Sequence, residues 1–347
     1  MNHMLQAIRA HALPARADLK EQSLRVLTWL VTALVLGPTA VAAQDAGTLA
    51  GTRIRIVVPF TPGGSVDGLA RTVGSALQKA SEAAVIVENK PGAGGNIAAS
   101  FVAKSPPGTH VNLLVSSINF YVNPAVQRDP GYDAYRDFAP LAYLASMPYV
   151  MVVPGDSPID SVKDLVARAR AEPGRLSWGF GGNGTLGHFV GAALEDAGGF
   201  KGTPIAYRGG PDLLAALGGR HIDMVIMTMQ SAAPLIRQGR LKGLAVTGAE
   251  RNKVMPQLPT IAEQVSGYPP LAGYAFLLAP STTPESLLVR LHAEMNKVVR
   301  SEAYLQRLEG DGGTAQVFAT LAEVKSFFDR DGQRWAALTR KSGIKLE

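Results

Sequence analysis

Two glycine-rich turns contain the residues whose types and spacing could do chemistry. The first turn, at residues 61–67, follows the apolar run 54–60, and the second, at residues 181–185, follows the run 176–180. Each turn leads straight into a segment with helical periodicity. A turn of this kind leaves backbone N–H groups without partners at the start of a helix, where the helix dipole adds partial positive charge and anions bind. Two such turns indicate two lobes that together hold one acidic small molecule.

The first turn combines two glycines with an acidic residue. Gly63 and Gly64 lack a Cβ, so the backbone can approach a ligand closely, and the amides from Gly64 to Val66 would point at a carboxylate. Asp67 is harder to interpret, since an aspartate that faced a bound anion would repel it. It caps the helix, pairs with Arg71 one turn later, or accepts a hydrogen bond from a ligand hydroxyl or water.

The second turn matches the dinucleotide-binding pattern G-x-G-x-x-G, and it lies between a predicted strand and a predicted helix. Two features disfavour a dinucleotide site. The next predicted strand ends in Ala206-Tyr207-Arg208, without the acidic residue that would hold a ribose, and the turn lies far from the N-terminus. We therefore expect no cofactor. At Thr185, which precedes the helix, an N-cap role and a ligand contact are compatible.

A third glycine-rich turn, at residues 91–96, joins a predicted strand to a helix of small residues. It either lines the cleft between the lobes or forms a tight connection in which Asn96 caps the helix. The residues alone do not decide between these two interpretations.

An exported serine hydrolase is the enzymatic alternative, with Ser65 as its nucleophile. The surrounding residues fall one glycine short of the nucleophile-elbow pattern G-x-S-x-G, because Asp67 replaces the last glycine. The histidines fit no triad order, although His188 lies one turn into the helix after the second turn. No paired-carboxylate, metal-ligand or phosphate-loop pattern occurs in the sequence. We therefore expect no enzyme, no catalytic residue and no metal site.

The composition and the N-terminal segment indicate where the protein works. The chain has 347 residues, 46% of them hydrophobic and 18% charged, which is typical of a globular protein with a substantial core. Residues 1–43 are interpreted as a signal peptide, because basic residues precede the apolar stretch 26–36 and small residues follow at 40–43. An anchor helix is the alternative, but that stretch is too short to span a bilayer.

The cysteine count and the charge exclude further classes of protein. With no cysteine, the chain can form no disulfide and carry no lipid-modified cysteine at a processed N-terminus. We therefore expect a periplasmic protein, with no direct membrane insertion after signal cleavage. The net charge of +6 comes without a basic run, so we expect no nucleic acid partner.

Apolar runs alternate with helix-period segments along most of the chain. The runs are continuous, which predicts parallel sheets covered by helices on both faces. The final predicted strand is followed only by helices, so we expect the chain to return to the first lobe there. Strands are predicted at 53–60, 84–88, 112–116, 149–154, 176–180, 203–206, 224–227, 244–247 and 274–280, and helices at 67–80, 96–103, 162–170, 186–197, 211–217, 232–238, 284–300, 302–309 and 321–340.

Several of these segments together resemble a known family. The most specific one is the run Asn89-Lys90-Pro91-Gly92-Ala93-Gly94-Gly95, which lies within residues 87–99. The other segments are residues 57–71, 182–188, 207–209 and 244–247, in the same order as in the family. The chain thereby resembles the Bug-type periplasmic solute receptors of tripartite tricarboxylate transporters, over nearly all of its length beyond the signal peptide.

The resemblance implies an α/β fold of the periplasmic-binding-protein type II, or Venus-flytrap, class: two lobes joined by a hinge of two crossover strands, at 149–154 and 274–280. It places the first lobe at 50–150 and 272–347 and the second at 151–271. It further implies a carboxylate ligand, held by backbone amides and ordered water and delivered to an inner-membrane permease. The expected ligand-binding residues are Phe60, Pro62, Gly63, Gly64, Ser65, Asp67, Ser116, Ser117, Gly182, Asn183, Gly184, Thr185, His188, Tyr207 and Thr228.

One departure from the family bears on the ligand. Many relatives carry an acid near Met227, whereas residues 227–230 of this chain are rich in methionine and uncharged. Such an acid could recognise a ligand amine, so its absence disfavours an amino acid. We expect a small organic (di)carboxylate or an aromatic carboxylate, bound by a monomer. Some of these receptors serve sensing, so a ligand sensor that docks onto a membrane kinase is a further alternative.

Overall fold

The computed structural model describes residues 49–106 and 110–342. The signal peptide predicted at residues 1–43 lies outside the described residues. Across the described ranges, no helix is both long enough and apolar enough to cross a membrane.

The described chain forms two five-stranded sheets, each the centre of one lobe. Sheet A has the strand order β2-β1-β3-β10-β4, and sheet B has the order β7-β6-β8-β5-β9. The strands of sheet A are β1 (Arg53–Val58), β2 (Ala84–Asn89), β3 (Val111–Ser116), β4 (Phe138–Met147) and β10 (Gly273–Pro280). Those of sheet B are β5 (Tyr149–Pro154), β6 (Ser177–Phe180), β7 (Thr203–Ala206), β8 (Met224–Thr228) and β9 (Leu241–Val246). We call the half built on sheet A the first lobe and the half built on sheet B the second lobe.

Eleven α-helices accompany the sheets in the described part of the chain. They are α1 (Ser65–Ser81), α2 (Asn96–Ala103), α3 (Asn119–Val126), α4 (Val162–Ala171), α5 (Leu186–Gly198), α6 (Gly210–Gly218), α7 (Met229–Arg237), α8 (Ile261–Gln264), α9 (Glu285–Arg300), α10 (Glu302–Gly310) and α11 (Leu321–Ser342). A short 3₁₀ turn, Ala93–Gly95, precedes α2.

The chain passes between the sheets at two places. It leaves β4 for β5 through Pro148, and it returns from β9 to β10 through residues 247–272. The strands β5 and β10, predicted as the two crossovers, are the first strands after each passage. The predicted lobe boundaries, at 50–150 with 272–347 and at 151–271, stay a prediction.

The prediction of parallel sheets is wrong for β5 and β10, which each run antiparallel to both of their neighbours. The strand β1 is parallel to β2 and β3, and β6 is parallel to β7 and β8. A strand–helix–strand crossover within one sheet forces parallel pairing. The strands β5 and β10 instead enter their sheets directly from the other lobe, so this constraint does not apply to them.

One strand, β4, and two helices, α3 and α8, are not predicted from the sequence. The strand β4 contains Pro140, and a proline inside an apolar run argues against a central strand. In the structure β4 pairs only with β10 at the edge of sheet A, where a missing N–H is tolerated. The helix α3 contains Pro124, and α8 is only four residues long.

Both faces of sheet A are buried. Ile54 and Ile56 pack on the side of α1 and α9, and Val57 packs on the side of α2 and α3. The last helix, α11, connects the two lobes, because its buried Trp335 lies 5.6 Å, between ring centroids, from Phe189 of α5. The residues that follow β1, in the first lobe, and those that follow β6 and β8, in the second, line one space between the lobes.

Candidate functional site

A cavity of about 60 Å³ lies between the two lobes. The first lobe contributes four residues from the end of β1 and the start of α1. The second contributes residues from three segments, 181–185, 209–213 and 226–231, with Tyr149 at the crossing between the lobes. The lining residues are Phe60, Gly64, Ser65, Val66, Tyr149, Gly181, Thr185, Gly209, Gly210, Leu213, Ile226, Met227, Thr228 and Ser231. The volume corresponds to roughly four or five water molecules, so the lobes are close together here.

Four helices begin at this cavity. The N-cap residues of α1, α5, α6 and α7 are Gly64, Thr185, Gly209 and Thr228, and all four of them line it. The first amides of a helix have no partner within the helix, and its dipole places partial positive charge at this end. The two anion-binding turns predicted from the sequence are therefore joined by two more helix N-termini, both from the second lobe.

The cavity wall, as far as the structure describes it, is polar but carries no charged side chain. Among the described residues that line it, none is an aspartate, glutamate, lysine, arginine or histidine. Five hydroxyl groups line it instead, those of Ser65, Tyr149, Thr185, Thr228 and Ser231. Burial raises the pKa of the Tyr149 hydroxyl to about 12, so this group keeps its proton and can donate a hydrogen bond. The hydroxyls of Thr185 and Thr228 already donate, to the carbonyl of Gly182 and to Oγ of Ser231. The hydroxyls that the described wall offers as donors to an anion, without a neutralising cation, are therefore those of Ser65, Tyr149 and Ser231.

Ser65 lines the cavity without a catalytic base. A serine nucleophile needs a general base within hydrogen-bond distance, most often a histidine. His188 does not line the cavity, and no other histidine or carboxylate does so in the described part of the chain. The geometry therefore gives no support to a serine hydrolase.

A buried carboxylate holds the first turn in shape. Asp67 is only 4% exposed, and its Oδ2 accepts hydrogen bonds from the backbone N–H of Gly63 and from Nε of Arg71, both at 3.0 Å. Its Oδ1 accepts a third from Nδ2 of Asn89, also at 3.0 Å. Burial alone would raise the pKa of this carboxyl, but the three hydrogen bonds outweigh it and hold the pKa below its ordinary value.

Asn89 extends this network to the neighbouring strand. Its Nδ2 also donates to the carbonyl of Phe60 at 3.0 Å, and its Oδ1 accepts from Nη2 of Arg71 at 3.3 Å. The end of β2 is thereby tied to the end of β1 and to the turn that follows it. Asp67 thus combines the pairing with Arg71 with a bond back into its own turn, and it does not line the cavity.

A neutral imidazole holds the second turn. The backbone N–H of Gly184 donates to Nδ1 of His188 at 3.4 Å, and the His188 ring stacks on Phe180 with the centroids 4.5 Å apart and the planes 9° from parallel. Burial lowers the pKa of His188 to about 4, so the ring is neutral at pH 7. Because Nδ1 accepts, the proton of the neutral ring belongs on Nε2. Thr185 closes the turn by donating from Oγ1 to the carbonyl of Gly182 at 2.7 Å.

The third turn lies against the second turn, across the cleft. A Cβ at Gly94 would lie 2.6 Å from the carbonyl oxygen of Asn183. The carbonyl of Gly94 accepts from Nδ2 of Asn119 at 2.7 Å and from Nδ2 of Asn123 at 3.1 Å. The turn therefore contributes to the contact between the lobes and does not line the cavity. The interpretation of Asn96 as the cap of α2 is wrong, since Gly95 is the N-cap.

The structure brings five of the fifteen predicted ligand-binding residues together at the cavity: Phe60, Gly64, Ser65, Thr185 and Thr228. Several of the other ten surround it and hold its turns. Ser116 is buried in sheet A opposite Phe276, and Ser117 donates to Oδ1 of Asn119 at 2.6 Å. The predicted residues that do not line the cavity are Pro62, Gly63, Asp67, Ser116, Ser117, Gly182, Asn183, Gly184, His188 and Tyr207.

The contribution of α6 and α7 to the cavity is not predicted from the sequence. The proline at Pro211, which follows two glycines, is a signal for a helix start, and α6 does begin at Gly210. The helix α7 begins at Met229, three residues before the predicted start, so Thr228 is its N-cap and Ser231 lies in its first turn. Tyr149 carries no such local signal, because only the crossing between the lobes brings it to the cavity.

The chain is similar to proteins of one family along most of its length. The family model described as "Tripartite tricarboxylate transporter family receptor" matches residues 69–344. A UPF0065 protein from the tcbD-tcbE intergenic region of Pseudomonas sp. (strain P51) is 32% identical over 321 residues, which are 90% of this chain and 93% of that protein.

Two solved structures share the fold. The periplasmic binding protein BugD superposes with a TM-score of 0.79 at 27% sequence identity, covering 85% of this chain and 99% of that one. The R. palustris protein Rpa4515, solved with adipate, has a TM-score of 0.79 at 29% identity and covers 85% of this chain and 98% of its own. The two-lobed fold predicted from the sequence is confirmed by these likenesses.

Proposed function

Because the chain belongs to the family of tripartite tricarboxylate transporter receptors, we propose that it binds a small organic carboxylate in the cavity between its lobes, in the periplasm. In this proposal it delivers the ligand to an inner-membrane permease of the same transporter type. Backbone amides and hydroxyl groups hold the carboxylate, with no cofactor and no metal.

One observation carries the proposal: four helix N-termini meet at a cavity in whose lining none of the described residues has a charged side chain. Hydrogen bonds to an ionised carboxylate are shorter and stronger than those between neutral groups. Fixed helix dipoles and preformed amides can therefore compensate a ligand's charge without an arginine or lysine. One of these helix starts belongs to the first lobe and three to the second, so a ligand held by both stabilises the closed arrangement.

The apolar part of the wall limits the body of the ligand. Leu213, Ile226 and Met227 line the cavity beside the starts of α6 and α7, and no acidic residue of the described ranges lines it to receive a ligand amine. A carbon chain or ring fits such a surface, whereas an ammonium group would lose its hydration without gaining a partner. Because the R. palustris relative was solved with adipate, straight-chain dicarboxylates are the first class of ligand to test.

The binding experiment begins with protein that has been unfolded in denaturant, dialysed and refolded, so that any co-purified ligand is removed. Thermal-shift measurements then screen adipate, shorter dicarboxylates, tricarboxylates and aromatic monocarboxylates, and calorimetry measures the affinity of each positive compound. The shorter acids matter because the cavity is only about 60 Å³. We expect at least one acid to raise the melting temperature, whereas an amino acid of the same length does not. The absence of any shift across the screen would contradict the proposal.

Two hydroxyl deletions test the location of the site. We expect Ser65→Ala and Thr185→Ala each to weaken binding of the best acid by about 1–3 kcal/mol. Ser65→Ala removes a hydroxyl donor beside the anion, and Thr185→Ala removes the hydrogen bond to the carbonyl of Gly182 that closes the second turn. Ser75→Ala is the matched control, since Ser75 is exposed on the same helix, α1, and does not line the cavity. Unchanged affinity in both cavity variants would place the site elsewhere.

Delivery to a permease has its own test. Deletion of the gene for this chain is expected to abolish uptake of the selected acid by cells, and expression of the wild-type chain is expected to restore it. Uptake that is unaffected by the deletion would limit the function to binding.

A further inference from the structure

A second concave surface, which we call the basic groove, lies on the first lobe between α1 and the pair α9 and α10. It has a volume of about 830 Å³ and shares no lining residue with the cavity between the lobes. Its floor on α1 follows one helix face, with small residues such as Gly68, Ala76 and Ala80 at helical spacing, and Ala303 lies opposite. Small side chains along a groove allow a second backbone to approach closely, so the groove is shaped for a partner helix.

The groove carries one sign of charge. Four cations line it, Arg71, Lys79, Lys297 and Arg307, and none of the described residues in its lining is acidic. The carboxylates that pair with two of these cations lie deeper in the protein than the cations do. The side chain of Arg71 is 53% exposed and that of Asp67 only 5%, and for Lys297 and Glu294 the values are 64% and 14%.

The other two cations, Lys79 and Arg307, are the stronger candidates to pair with acidic groups of a partner. Lys79 and Arg307 form no ion pair with any residue in the described ranges. The nearby acid Asp311 forms no ion pair with Arg307. Burial raises the pKa of Asp311, and the charge of Arg307 only partly offsets that rise. An exposed cation without a fixed partner gains most when an anion is brought beside it.

One end of the groove reaches the second lobe. A Cβ at Gly68 would lie 3.7 Å from Nη2 of Arg307 and 3.9 Å from Nε2 of Gln230, and Gln230 belongs to α7. The amide of Gln230 therefore completes this end only while the lobes hold their present arrangement. A partner that contacts both Arg307 and Gln230 binds one lobe arrangement more tightly than another.

We propose that the basic groove binds an acidic helical segment of a partner protein, and that this docking senses whether the lobes are closed. The inference rests on the proposed function in one respect, since the partner is the permease that receives the ligand. By linkage, a ligand that closes the lobes strengthens docking, and docking strengthens ligand binding by the same factor. Loaded receptor is thereby favoured over empty receptor at the membrane.

The absence of cysteine from the chain allows a site-specific test. Ala76→Cys places a single thiol on the groove floor, to which a photoactivatable cross-linker is attached, and the labelled protein is incubated with membrane vesicles of the bacterium that encodes it. We expect cross-linking to one integral membrane protein, with the linked peptide, identified by mass spectrometry, carrying net negative charge. Lys163→Cys on α4, exposed on the second lobe, is the matched control and is expected to give no such product.

Charge reversal then tests the two unpaired cations. We expect the double substitution Lys79→Glu with Arg307→Glu to reduce the cross-link at least tenfold, while Lys163→Glu with Arg237→Glu, the same charge change on the second lobe, leaves it intact. Carboxylate affinity of the purified groove variant is expected to equal that of wild type, because neither residue lines the cavity.

The other outcomes are distinguishable. A cross-link to a neutral or basic segment, or one that survives the groove charge reversal, overturns the inference. So does binding to phosphatidylglycerol vesicles that the groove reversal abolishes without any protein cross-link, because the groove would then bind a lipid surface. If no carboxylate binds the purified protein, the proposed function fails, and the cross-linking result still decides whether an acidic helix docks here.

Discussion

The two glycine turns of the site are built on the same plan with different chemistry. In each, a side chain from the first turn of the following helix bends back to accept a hydrogen bond from an amide four residues earlier. Asp67 accepts from Gly63 at 3.0 Å, and His188 accepts from Gly184 at 3.4 Å. The plan requires an acceptor at a fixed spacing, and a carboxylate and a neutral imidazole both provide one.

The two acceptors differ in what else they hold. Asp67 binds three donors, from its own turn, from α1 and from the end of β2, and so ties three elements of the first lobe together. His188 accepts one weaker hydrogen bond and otherwise depends on its stacking against Phe180. We infer that the first turn is fixed by a charged network and the second by packing, so the two respond differently to substitution and to pH.

Removal of the charged acceptor is expected to have the largest effect. Asp67→Ala leaves the donors of Gly63, Arg71 and Asn89 without their shared acceptor, and we expect the free energy of unfolding to fall by about 3–4 kcal/mol. Urea denaturation measures this change. Asp212→Ala is the matched control, because it removes the exposed pair with Arg208, also four residues apart, which is worth at most about 1 kcal/mol. Equal losses in the two variants would contradict the distinction between a network and a single pair.

Acidification is expected to act on the second turn first. The pKa of His188 in the folded state, about 4, lies below its ordinary value of 6.5, so between these values the unfolded chain binds the proton and the folded protein does not. Stability therefore rises with pH across this window and is lost as the pH falls through it. The contribution of His188 between pH 7 and 4.5 is about 2–3 kcal/mol.

The pH experiment compares denaturation curves of the wild type and of His188→Gln, which cannot titrate. The variant is expected to lose less stability than the wild type between pH 7 and 4.5, and His221→Gln, on an exposed histidine of the same lobe, is the control for loss of an imidazole. The pKa of Asp67 lies below its ordinary value of 3.8, so its contribution is present above that pH and is lost only at more acidic pH. Identical pH dependence of wild type and His188→Gln would show that the folded protein does not lower the pKa of His188.

A smaller effect is expected from alanine at one glycine of each turn. Gly63 and Gly184 have φ of +83° and +75°, a region that costs a non-glycine residue roughly 1 kcal/mol in both cases. A Cβ at Gly63 would meet nothing closer than 3.9 Å, whereas a Cβ at Gly184 would lie only 2.2 Å from Oδ1 of Asn123 in the first lobe. Asn123 is fully buried and cannot move aside easily.

We therefore expect Gly184→Ala to weaken carboxylate binding about tenfold more than Gly63→Ala, a difference of about 1.4 kcal/mol, because it pushes the lobes apart. Calorimetry with the acid selected above measures both affinities. Urea denaturation measures how far the strained backbone lowers the free energy of unfolding of each variant. If Gly63→Ala weakened binding more, the tight contact between the lobes would lie at the first turn instead of the second.

The local parts of the site were predictable because their signals lie in neighbouring residues. Glycines after an apolar run predicted both turns, and the helical period placed α1 and α5 after them within two residues. The pairing of Asp67 with Arg71 followed from their spacing along a helix. The bonds of Asn89 and the role of His188 as acceptor did not follow, because side-chain direction and ring tautomer depend on surrounding atoms.

The sequence by itself determined that this protein has two glycine-rich turns that each lead into a helix, an alternation of strands and helices, and a family to which it belongs. Only the tertiary structure decided that four helix starts, among them those of α6 and α7, point into one cavity, that Tyr149 joins them, and that β5 and β10 run antiparallel. The physical reason is the distance along the chain over which each preference acts. Turn and cap preferences arise from a few adjacent residues, whereas the convergence of helices depends on how the chain crosses twice between its lobes.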